Sequence, residues 1–428
     1  MPSPLLIGYR GISALAVPFV ARKRVDKLRK AGQSVPRAHE ILGHATDARR
    51  LGPLVWFHAA SVGEAKSCLP LLAAMRPENP DLQFLITTVT PTSAEVLASR
   101  LPPGTIHQFA PLDAKGPVTR FLNHWKPDLG IFIESEIWPN ILHAAAKADV
   151  PMALVNARMS VRSARRWLRV KHTARGILGK FGLIHCQDRA TADALYAMGL
   201  RHARQGVNLK SIVPPPQVDP LEQARMKATF QDRPIWTAVS THPGEEQIIL
   251  EAHARLRVLM PNAALILVPR HPERAPEILA LGQDHTIAQR SVGQDPAPNT
   301  SVYLADTIGE TDLWFSLAPV CCLCGSFTNV GGHTPFEPAN AGTALVHGPH
   351  YANHAEAYAK FQAANASIEV GDAPTLAAAV DLLLRNPTET KALARAALPL
   401  AAAGQDALGR LARECCALGG LTETQTDA

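Results

Sequence analysis

Short apolar runs alternate with amphipathic stretches along most of this chain, and three consecutive prolines divide the alternation into two series. The runs before the prolines are LVWFHAA (54–60), QFLITTV (83–89), DLGIFIE (128–134), PMALVN (151–156) and FGLIHCQ (181–187). The runs after them are PIWTAVS (234–240), AALILVP (263–269), TSVYLAD (300–306), APVCCLCG (318–325) and TALVHG (343–348). Repeated strand–helix units predict parallel sheets covered by helices on both faces. We therefore predict an α/β protein with two Rossmann-like domains that face each other across a central cleft.

The prolines lie in SIVPPPQVDP (211–220), which we predict to be the linker between the domains. Consecutive prolines form a stiff, extended segment that cannot continue a helix. The predicted domains are 51–210 and 221–420, with an Ala-rich helical end at 374–418 and a disordered tail at 421–428.

Residues 1–50 carry the excess positive charge of the chain. They hold ten basic and three acidic residues, a net charge of +7, whereas the whole chain is +6, so the remaining 378 residues sum to −1. An apolar stretch followed by a basic cluster suits a helix that lies on an anionic membrane surface, and cations after the apolar stretch favour the cytoplasmic side. No run of 18 apolar residues is present, so we do not expect this segment to span a membrane; a solvated helix is the alternative. Because the charge is confined to one segment, we expect no nucleic-acid partner.

The seven cysteines have no spacing typical of a zinc site. Several lie in apolar runs, which indicates buried reduced thiols. No other cluster of metal-ligating residues stands out, and we expect no metal.

The loop after the first run offers a candidate base. Ser61 and Gly63 lie where the chain turns from strand to helix, and Glu64 falls in the first helical turn. Free backbone N–H groups and the helix dipole can hold an acceptor hydroxyl there, and a carboxylate can deprotonate it. Spacing alone favours the alternative, a glutamate that only stabilises its own helix.

Two further loops of the first half carry candidate groups. Glu134 and Glu136 follow the third run, in ESEIWPN, and are interpreted equally well as a site or as partners of a buried arginine. NARMSVRSARR (156–166) contains Arg158 and Ser160 and is either a phosphate-binding loop or a solvated basic helix.

The second half carries features of a nucleotide site. Arg270 follows an apolar run, where it can bind a phosphate. The stretch GSFTNVGGHTPFEPANAG (325–342) has glycines that allow close approach to a ligand, and Glu337 in a first helical turn can accept hydrogen bonds from ribose hydroxyls. The chain lacks both the GxxxxGK[ST] and the GxGxxG phosphate motifs, which argues against a triphosphatase and a standard dehydrogenase.

Ordered motifs across residues 53–355 resemble one family, the 3-deoxy-D-manno-octulosonic acid (Kdo) transferases of lipopolysaccharide synthesis. The matching stretches are WFHAASVGEAK, TTVTPT, PLD, ESEIWPN, NARMSVRS, VNLK, STHPGEE, VPRHPER, DTIGE and GSFTNVGGHTPFEPA. The resemblance implies a glycosyltransferase-B fold. It implies inverting, metal-independent transfer of Kdo from CMP-Kdo to a tetraacyl lipid A precursor, lipid IVA, at the cytoplasmic face of the inner membrane.

The resemblance also implies roles for individual residues. Glu64 corresponds to the proton acceptor, and Glu134 and Lys210 correspond to groups that stabilise the transition state. The positions that match CMP-binding residues are Pro269, Arg270, Ile308, Gly309, Glu310, Thr334, Pro335, Phe336 and Glu337. Ser61, Gly63, Arg158 and Ser160 are candidates for acceptor binding. CMP-Kdo is a donor substrate, no cofactor is expected, and no particular oligomeric state is predicted.

The chain departs from the family pattern in two motifs. Thr334 and Phe336 stand in HTPFE where the family has HNPLE, and Val207 stands in VNLK where the family has GNLK. Two alternative functions remain: a glycosyltransferase-B enzyme that uses another nucleotide sugar, such as a UDP-sugar, and a non-catalytic, membrane-associated protein that binds a nucleotide sugar.

Overall fold

The computed structural model describes residues 4–98, 100–213 and 216–422, which fold into two compact units. Unit 1 comprises Met1–Ile212 and Asp406–Ala428, and unit 2 comprises Val213–Gln405. Each unit contains one seven-stranded sheet in which every strand pairs with its neighbours in parallel. The predicted α/β class is therefore confirmed.

The sheet of unit 1 has the strand order β3-β2-β1-β4-β5-β6-β7. Its strands are β1 (Leu54–His58), β2 (Gln83–Thr88), β3 (Thr105–Phe109), β4 (Leu129–Ile133), β5 (Met152–Ala157), β6 (Leu183–Cys186) and β7 (Ala203–Gln205). Its helices up to the linker are α1 (Pro4–Lys30), α2 (Val35–His39), α3 (Val62–Met75), α4 (Pro91–Ala98), α5 (Lys115–Trp125), α6 (Pro139–Lys147), α7 (Val161–Arg169), α8 (Lys171–Leu178) and α9 (Arg189–Ala197).

The sheet of unit 2 has the strand order β10-β11-β9-β8-β12-β13-β14. Its strands are β8 (Ile235–Thr241), β9 (Ala264–Pro269), β10 (Ile287–Gln289), β11 (Val302–Leu304), β12 (Val320–Leu323), β13 (Ala344–His347) and β14 (Ser367–Glu369). The remaining helices are α10 (Pro220–Phe230), α11 (Glu245–Leu259), α12 (Ala275–Leu281), α13 (Thr311–Leu317), α14 (Phe336–Asn340), α15 (Ala355–Ala363), α16 (Ala373–Arg385) and α17 (Pro387–Leu418). Single 3-10 turns lie at Glu40–Leu42, Arg76–Glu78, Leu209–Ser211, Pro272–Arg274 and Ala352–His354.

The ten apolar runs all contain strands, but four further strands have no such run. These are β3, β7, β10 and β14, and they form the two edges of each sheet. An edge strand has one neighbour and is short, so it does not require the continuous apolar sequence of a central strand. Three of the four have only three residues.

The central strands are apolar because both faces of each sheet are covered. In β1, Trp56 packs on one face against Phe121 and Phe132, with ring centroids 4.8 and 5.2 Å apart. The alternate residue Phe57 belongs to the cluster on the opposite face. Successive side chains of a strand point to opposite faces, so a strand covered on both sides must be apolar throughout.

The C-terminal helix α17 belongs partly to each unit, which the predicted domain bounds do not anticipate. The predicted second domain extends to residue 420, but α17 passes from unit 2 into unit 1, which includes the chain from Asp406 on. Leu408, Leu411 and Cys415 are buried in the core of unit 1, which explains the assignment. Most of the predicted tail lies outside the described residues, whereas Leu421 is buried.

The N-terminal helix α1 packs on unit 1 through a few contacts and leaves most of its apolar surface exposed. The Tyr9 hydroxyl donates to Asp113 Oδ2 at 2.7 Å, and Leu28 is buried. By length and hydropathy, the segment Leu5–Lys30 is sufficient to cross a membrane, with a mean hydropathy of 1.3 over an 18-residue window that is 11% buried. Length and composition alone do not test the expectation that this segment lies on a membrane without spanning it, which stays a prediction.

All seven cysteines are buried and unpaired, as the sequence predicts.

We predict that Leu411→Ala lowers the free energy of unfolding by about 2–5 kcal/mol, because it leaves a cavity in the core of unit 1. Leu398, on the same helix but 45% exposed, supplies the matched control, and Leu398→Ala should change stability by less than about 0.5 kcal/mol. Urea denaturation of both variants measures the difference. Equal effects would contradict the assignment of the helix end to the core of unit 1.

Candidate functional site

Two candidate carboxylates of unit 1 follow the two strands at which the strand order reverses. From β1 the chain proceeds through β2 to β3 on one side, and β4 begins the other side next to β1. Loops that follow two such strands bound the crevice in which open α/β sheets bind ligands. Glu64 follows β1, and Glu134 follows β4.

Glu64 lies in the first turn of α3 and caps the start of its own helix. The Ala60 N–H donates to Glu64 Oε2 at 2.7 Å, and the Glu64 N–H donates to the hydroxyl of Ser61, the N-cap residue, at 3.3 Å. Glu64 therefore stabilises the start of its own helix, which is the structural alternative that the sequence left open. Burial raises the pKa of Glu64; the Ala60 N–H opposes this, and the charges of Glu136 and Glu134 raise the pKa further. A helix cap requires none of these acidic neighbours, whereas a general base benefits from a raised pKa.

Lys210 forms an ion pair with Glu134. The distance from Lys210 Nζ to Glu134 Oε1 is 2.5 Å, and Glu134 is 13% exposed. Glu134 has a φ of 61°, an uncommon backbone conformation for a residue with a side chain. The side chain of Asn156, in β5, holds the turn that carries Lys210, because its Oδ1 accepts from the Leu209 N–H at 3.1 Å. The structure thus brings Glu64, Glu134 and Lys210 to one edge of the sheet.

This cluster is supported by His58, which the sequence did not single out, and by Trp138, the tryptophan of ESEIWPN. His58, at the end of β1, is fully buried, and its Nε2 lies 3.5 Å from Glu136 Oε2. Trp138 Nε1 donates to the same carboxylate oxygen at 2.5 Å. Burial alone would raise the pKa of Glu136, but the His58 and Trp138 contacts hold it below its usual value. The position of His58 at a strand end was the available sequence signal.

The four acceptor-binding candidates have exposed surface near the carboxyl ends of β1 and β5. Ser61 caps α3, and a side chain at Gly63 would meet open space. Arg158 is exposed, and no carboxylate of the described residues lies within 4.0 Å of its guanidinium. Ser160 caps α7 by accepting from the Ser163 N–H at 3.2 Å. Since α7 begins at Val161, the arginine-rich stretch beyond Ser160 is a helix and not a loop.

The candidates of unit 2 lie at or after the ends of β9, β11 and β12, at the carboxyl edge of the second sheet, whose strand order reverses where β8 and β12 are neighbours. Pro269 is the buried last residue of β9, and Arg270 follows it with an exposed side chain. The Arg270 N–H donates to the carbonyl of Thr241 at 3.1 Å, which joins the ends of β8 and β9.

Glu337 lies in the first turn of α14, as the sequence predicts, and it interacts electrostatically with Arg270. Desolvation by the surrounding protein raises the pKa of Glu337 although part of its side chain is exposed; Asp312 raises the pKa further and Arg270 lowers it. Pro335 is the N-cap residue of the same helix. The Phe336 ring packs on Phe361 with centroids 5.6 Å apart, so this departure from the family pattern has a packing role.

The remaining nucleotide-site candidates differ in their surroundings. Ile308 is 88% exposed, and Gly309 has a φ of 91° with open space beside its Cα. Glu310 is engaged by the protein itself, because its Oε1 forms an ion pair with Arg290 Nη2 at 2.5 Å. The Thr334 hydroxyl is buried and has no hydrogen-bond partner among the described residues.

The glycines of the 325–342 stretch have packing reasons that the sequence interpretation did not anticipate. A Cβ on Gly325 would lie 2.8 Å from the His333 ring, and one on Gly331 would lie 2.5 Å from Asn353. A Cβ on Gly332 would lie 2.9 Å from the backbone of Tyr351. All three glycines have positive φ, and protein neighbours therefore account for them without a ligand.

Within the described ranges, no group of three His, Cys, Asp or Glu side chains is arranged to hold a metal ion.

We predict that Glu136→Gln lowers the pKa of Glu64, because it removes a negative charge that raises this pKa. A titration that follows the carboxyl ¹³C shift of Glu64 by NMR measures the change. Glu95→Gln, at an exposed position of α4, should leave the pKa unaltered. An unchanged or higher pKa in Glu136→Gln would contradict the electrostatic cluster.

Comparisons with known proteins give the family. Residues 36–212 match the model of the 3-deoxy-D-manno-octulosonic-acid transferase (kdotransferase) family. A probable mitochondrial 3-deoxy-D-manno-octulosonic acid transferase of Arabidopsis thaliana is 34% identical over 405 residues, covering 88% of this chain and 86% of the relative. The 3-deoxy-D-manno-octulosonic acid transferase of Haemophilus influenzae is 32% identical over 365 residues, covering 83% and 85%.

A crystal structure of a glycosyltransferase from Rickettsia africae matches 88% of this chain and 100% of its own chain, with 11% identity and a TM-score of 0.54. At this identity the likeness concerns the fold alone, and it agrees with the predicted glycosyltransferase-B fold class. The two relatives match over most of their length at more than 30% identity. The chain therefore belongs to the 3-deoxy-D-manno-octulosonic acid transferase family of glycosyltransferases.

Proposed function

We propose that this chain transfers Kdo from CMP-Kdo to lipid IVA, with inversion at the anomeric carbon, without a metal, at the cytoplasmic face of the inner membrane. Membership of the family supports the sugar that is transferred. The observation that carries the proposal is the meeting of Glu64, Glu134 and Lys210 at the strand-order reversal of unit 1. These three residues were assigned catalytic roles from motifs that are far apart in the sequence.

Glu64 acts as the general base in this proposal. Its carboxylate takes the proton of the acceptor hydroxyl while the hydroxyl oxygen bonds to the anomeric carbon, and the bond from that carbon to the phosphate oxygen of CMP breaks. Attack from the side opposite the leaving group inverts the anomeric configuration. The acidic neighbours Glu136 and Glu134 support this role, because a carboxylate with a raised pKa is a stronger base.

Lys210 and Glu134 stabilise the transition state in this proposal. The ion pair fixes the ammonium group beside the cluster, where it offsets the negative charge of the carboxylates. A preorganised cation costs no reorganisation when charge develops during the reaction. The uncommon backbone conformation of Glu134 supports a functional role, since such conformations concentrate at active sites.

Unit 2 binds the donor in this proposal. Arg270 provides a cation for the phosphate, and Glu337 an acceptor for the ribose hydroxyls. Ile308 offers exposed apolar surface to the base. With one phosphate in the leaving CMP, a guanidinium can fulfil the charge-stabilising role that a metal has for diphosphate donors.

The N-terminal helix holds the enzyme at the membrane in this proposal. Leu15 and Phe19, four residues apart on one face of α1, are 78% and 81% exposed. Seven of the ten basic residues of the N-terminal segment lie within α1, and six of them follow this apolar stretch between residues 22 and 30. This arrangement suits a helix that contacts acyl chains and anionic headgroups together.

We predict that Glu64→Gln lowers the rate of Kdo transfer roughly 10²–10⁴-fold, the usual contribution of a general base. The amide can still accept the Ala60 hydrogen bond, so the helix start is retained. Mass-spectrometric assay of the lipid product measures the rate, calorimetry should show CMP binding little changed, and Glu95→Gln is the control. Full activity in Glu64→Gln would show that the base is elsewhere.

We predict that replacing Leu15 and Phe19 together by Asp weakens binding to vesicles with anionic lipid about tenfold or more, because apolar contact with the bilayer is lost. Vesicle flotation measures the bound fraction. Val258→Asp, at an equally exposed apolar position of unit 2, is the control. Binding by the double variant equal to that of the control would contradict the membrane role of α1.

A further inference from the structure

Two histidines in unit 2 form a hydrogen-bonded pair that no part of the proposed reaction uses. His242 follows β8, and His333 lies in the loop that follows β12. Their Nε2 atoms are 2.9 Å apart, and the rings are nearly parallel at 15°. Both side chains are half-buried. One ring must donate to the other, so the two nitrogens share one proton between them.

The buried carboxylate of Glu245 holds the two segments that carry this histidine pair. It accepts hydrogen bonds from the N–H groups of His242 at 3.0 Å, Gly325 at 2.7 Å and Phe327 at 2.8 Å. Gly325 lies beneath the His333 ring at a distance that excludes a side chain. The pair is thus built into the loops at the strand-order reversal, where a ligand is expected.

The two segments that carry the histidine pair also contain polar groups without protein partners. Thr241, directly before His242, is fully buried, and its hydroxyl has no hydrogen-bond partner among the described residues. The same holds for the buried hydroxyls of Thr328 and Thr334 in the loop of His333. Buried hydroxyls normally have a partner, so three in one region point to a polar ligand.

We propose that the histidine pair binds an anionic group of the donor and takes up one proton from solvent when the donor binds. This inference rests on the proposed function and specifies how unit 2 holds an acidic nucleotide sugar. The bound group is an oxyanion in either case, since it is either the phosphate or the carboxylate of the sugar.

The charges of the donor and of the site support the proposal. CMP linked to an acidic sugar carries two negative charges, one on the phosphodiester and one on the carboxylate. Arg270 supplies one positive charge, and within the described ranges no carboxylate lies within 4.0 Å of its guanidinium. A protonated histidine pair supplies the second charge, and its bridging Nε2–H···Nε2 hydrogen bond remains intact when a ring gains a proton at its other nitrogen.

The surroundings keep the pair neutral without an anion. Burial lowers the pKa of His333 to about 4, with His242, Arg270 and His354 acting in the same direction. Burial also lowers the pKa of His242; His271 and Arg270 add to this, while Glu245 and Glu246 oppose it. A bound anion reverses the balance and raises the pKa of the pair, so donor affinity should increase as the pH falls.

Calorimetric titration of the full chain in buffers of different ionisation enthalpy, between about pH 5.5 and 8, tests the proposal, because histidine titrates in this range. The probes are the methyl phosphodiester of CMP, whose phosphate does not titrate there, and CMP-Kdo without acceptor. We expect proton uptake on binding. His242→Gln and His333→Gln should abolish the uptake and weaken binding roughly 10- to 100-fold at the acidic end, as for a lost hydrogen bond to a charged group.

The two probes distinguish the two sources of the anion. Proton uptake with the methyl ester would assign the pair to the phosphate. Proton uptake with CMP-Kdo but not with the methyl ester would assign the pair to the sugar carboxylate, and both results support the proposal. His285→Gln, in another part of unit 2, should behave as the unaltered chain. Binding of both probes without proton uptake would overturn the inference and leave the proposed function intact, whereas binding of neither probe would refute both.

Discussion

Every strand of this protein runs parallel to its neighbours, and the remaining features depend on that constraint. Parallel strands bring all their carboxyl ends to one edge of a sheet, so residues far apart in the sequence meet there. Both sheets reverse their strand order beside their first strand, where β1 pairs with β4 and β8 pairs with β12. The candidate base and its neighbours lie at the first reversal, and the histidine pair lies at the second.

Clustered carboxylates at the first reversal would repel one another without compensation. Lys210 offsets Glu134 directly, and His58 and Trp138 stabilise the charge of Glu136. Among the described residues no cation pairs with Glu64, and burial together with its acidic neighbours raises its pKa. Surroundings that give neighbouring carboxyl groups different pKa values are typical of sites where one of these groups accepts or donates a proton.

The sequence predicted the central strands and the strand-end positions of Glu64, Glu134 and Arg270, because burial on two faces leaves a continuous apolar run. It missed the edge strands, whose short and partly polar sequences need no such run. It also divided the chain at a linker without showing that α17 returns to the first unit, since an Ala-rich helix packs against either core equally well by composition.

The partners within the sites could not be predicted, because they depend on distances across the sheet. No spacing in the sequence indicates that Asn156 holds the turn of Lys210 or that His242 reaches His333. The glycines of the 325–342 stretch were interpreted as ligand contacts, although the protein's own loop at 350–353 and the His333 ring occupy the space beside them.

The most direct test of the account is mass spectrometry of the product formed when the purified chain is incubated with lipid IVA and one of two donors, CMP-Kdo or a UDP-sugar. The account predicts that CMP-Kdo yields lipid IVA increased by whole Kdo units, with one CMP released for each, and that the UDP-sugar yields no product. Transfer from the UDP-sugar, or an unmodified lipid with CMP-Kdo, would contradict it.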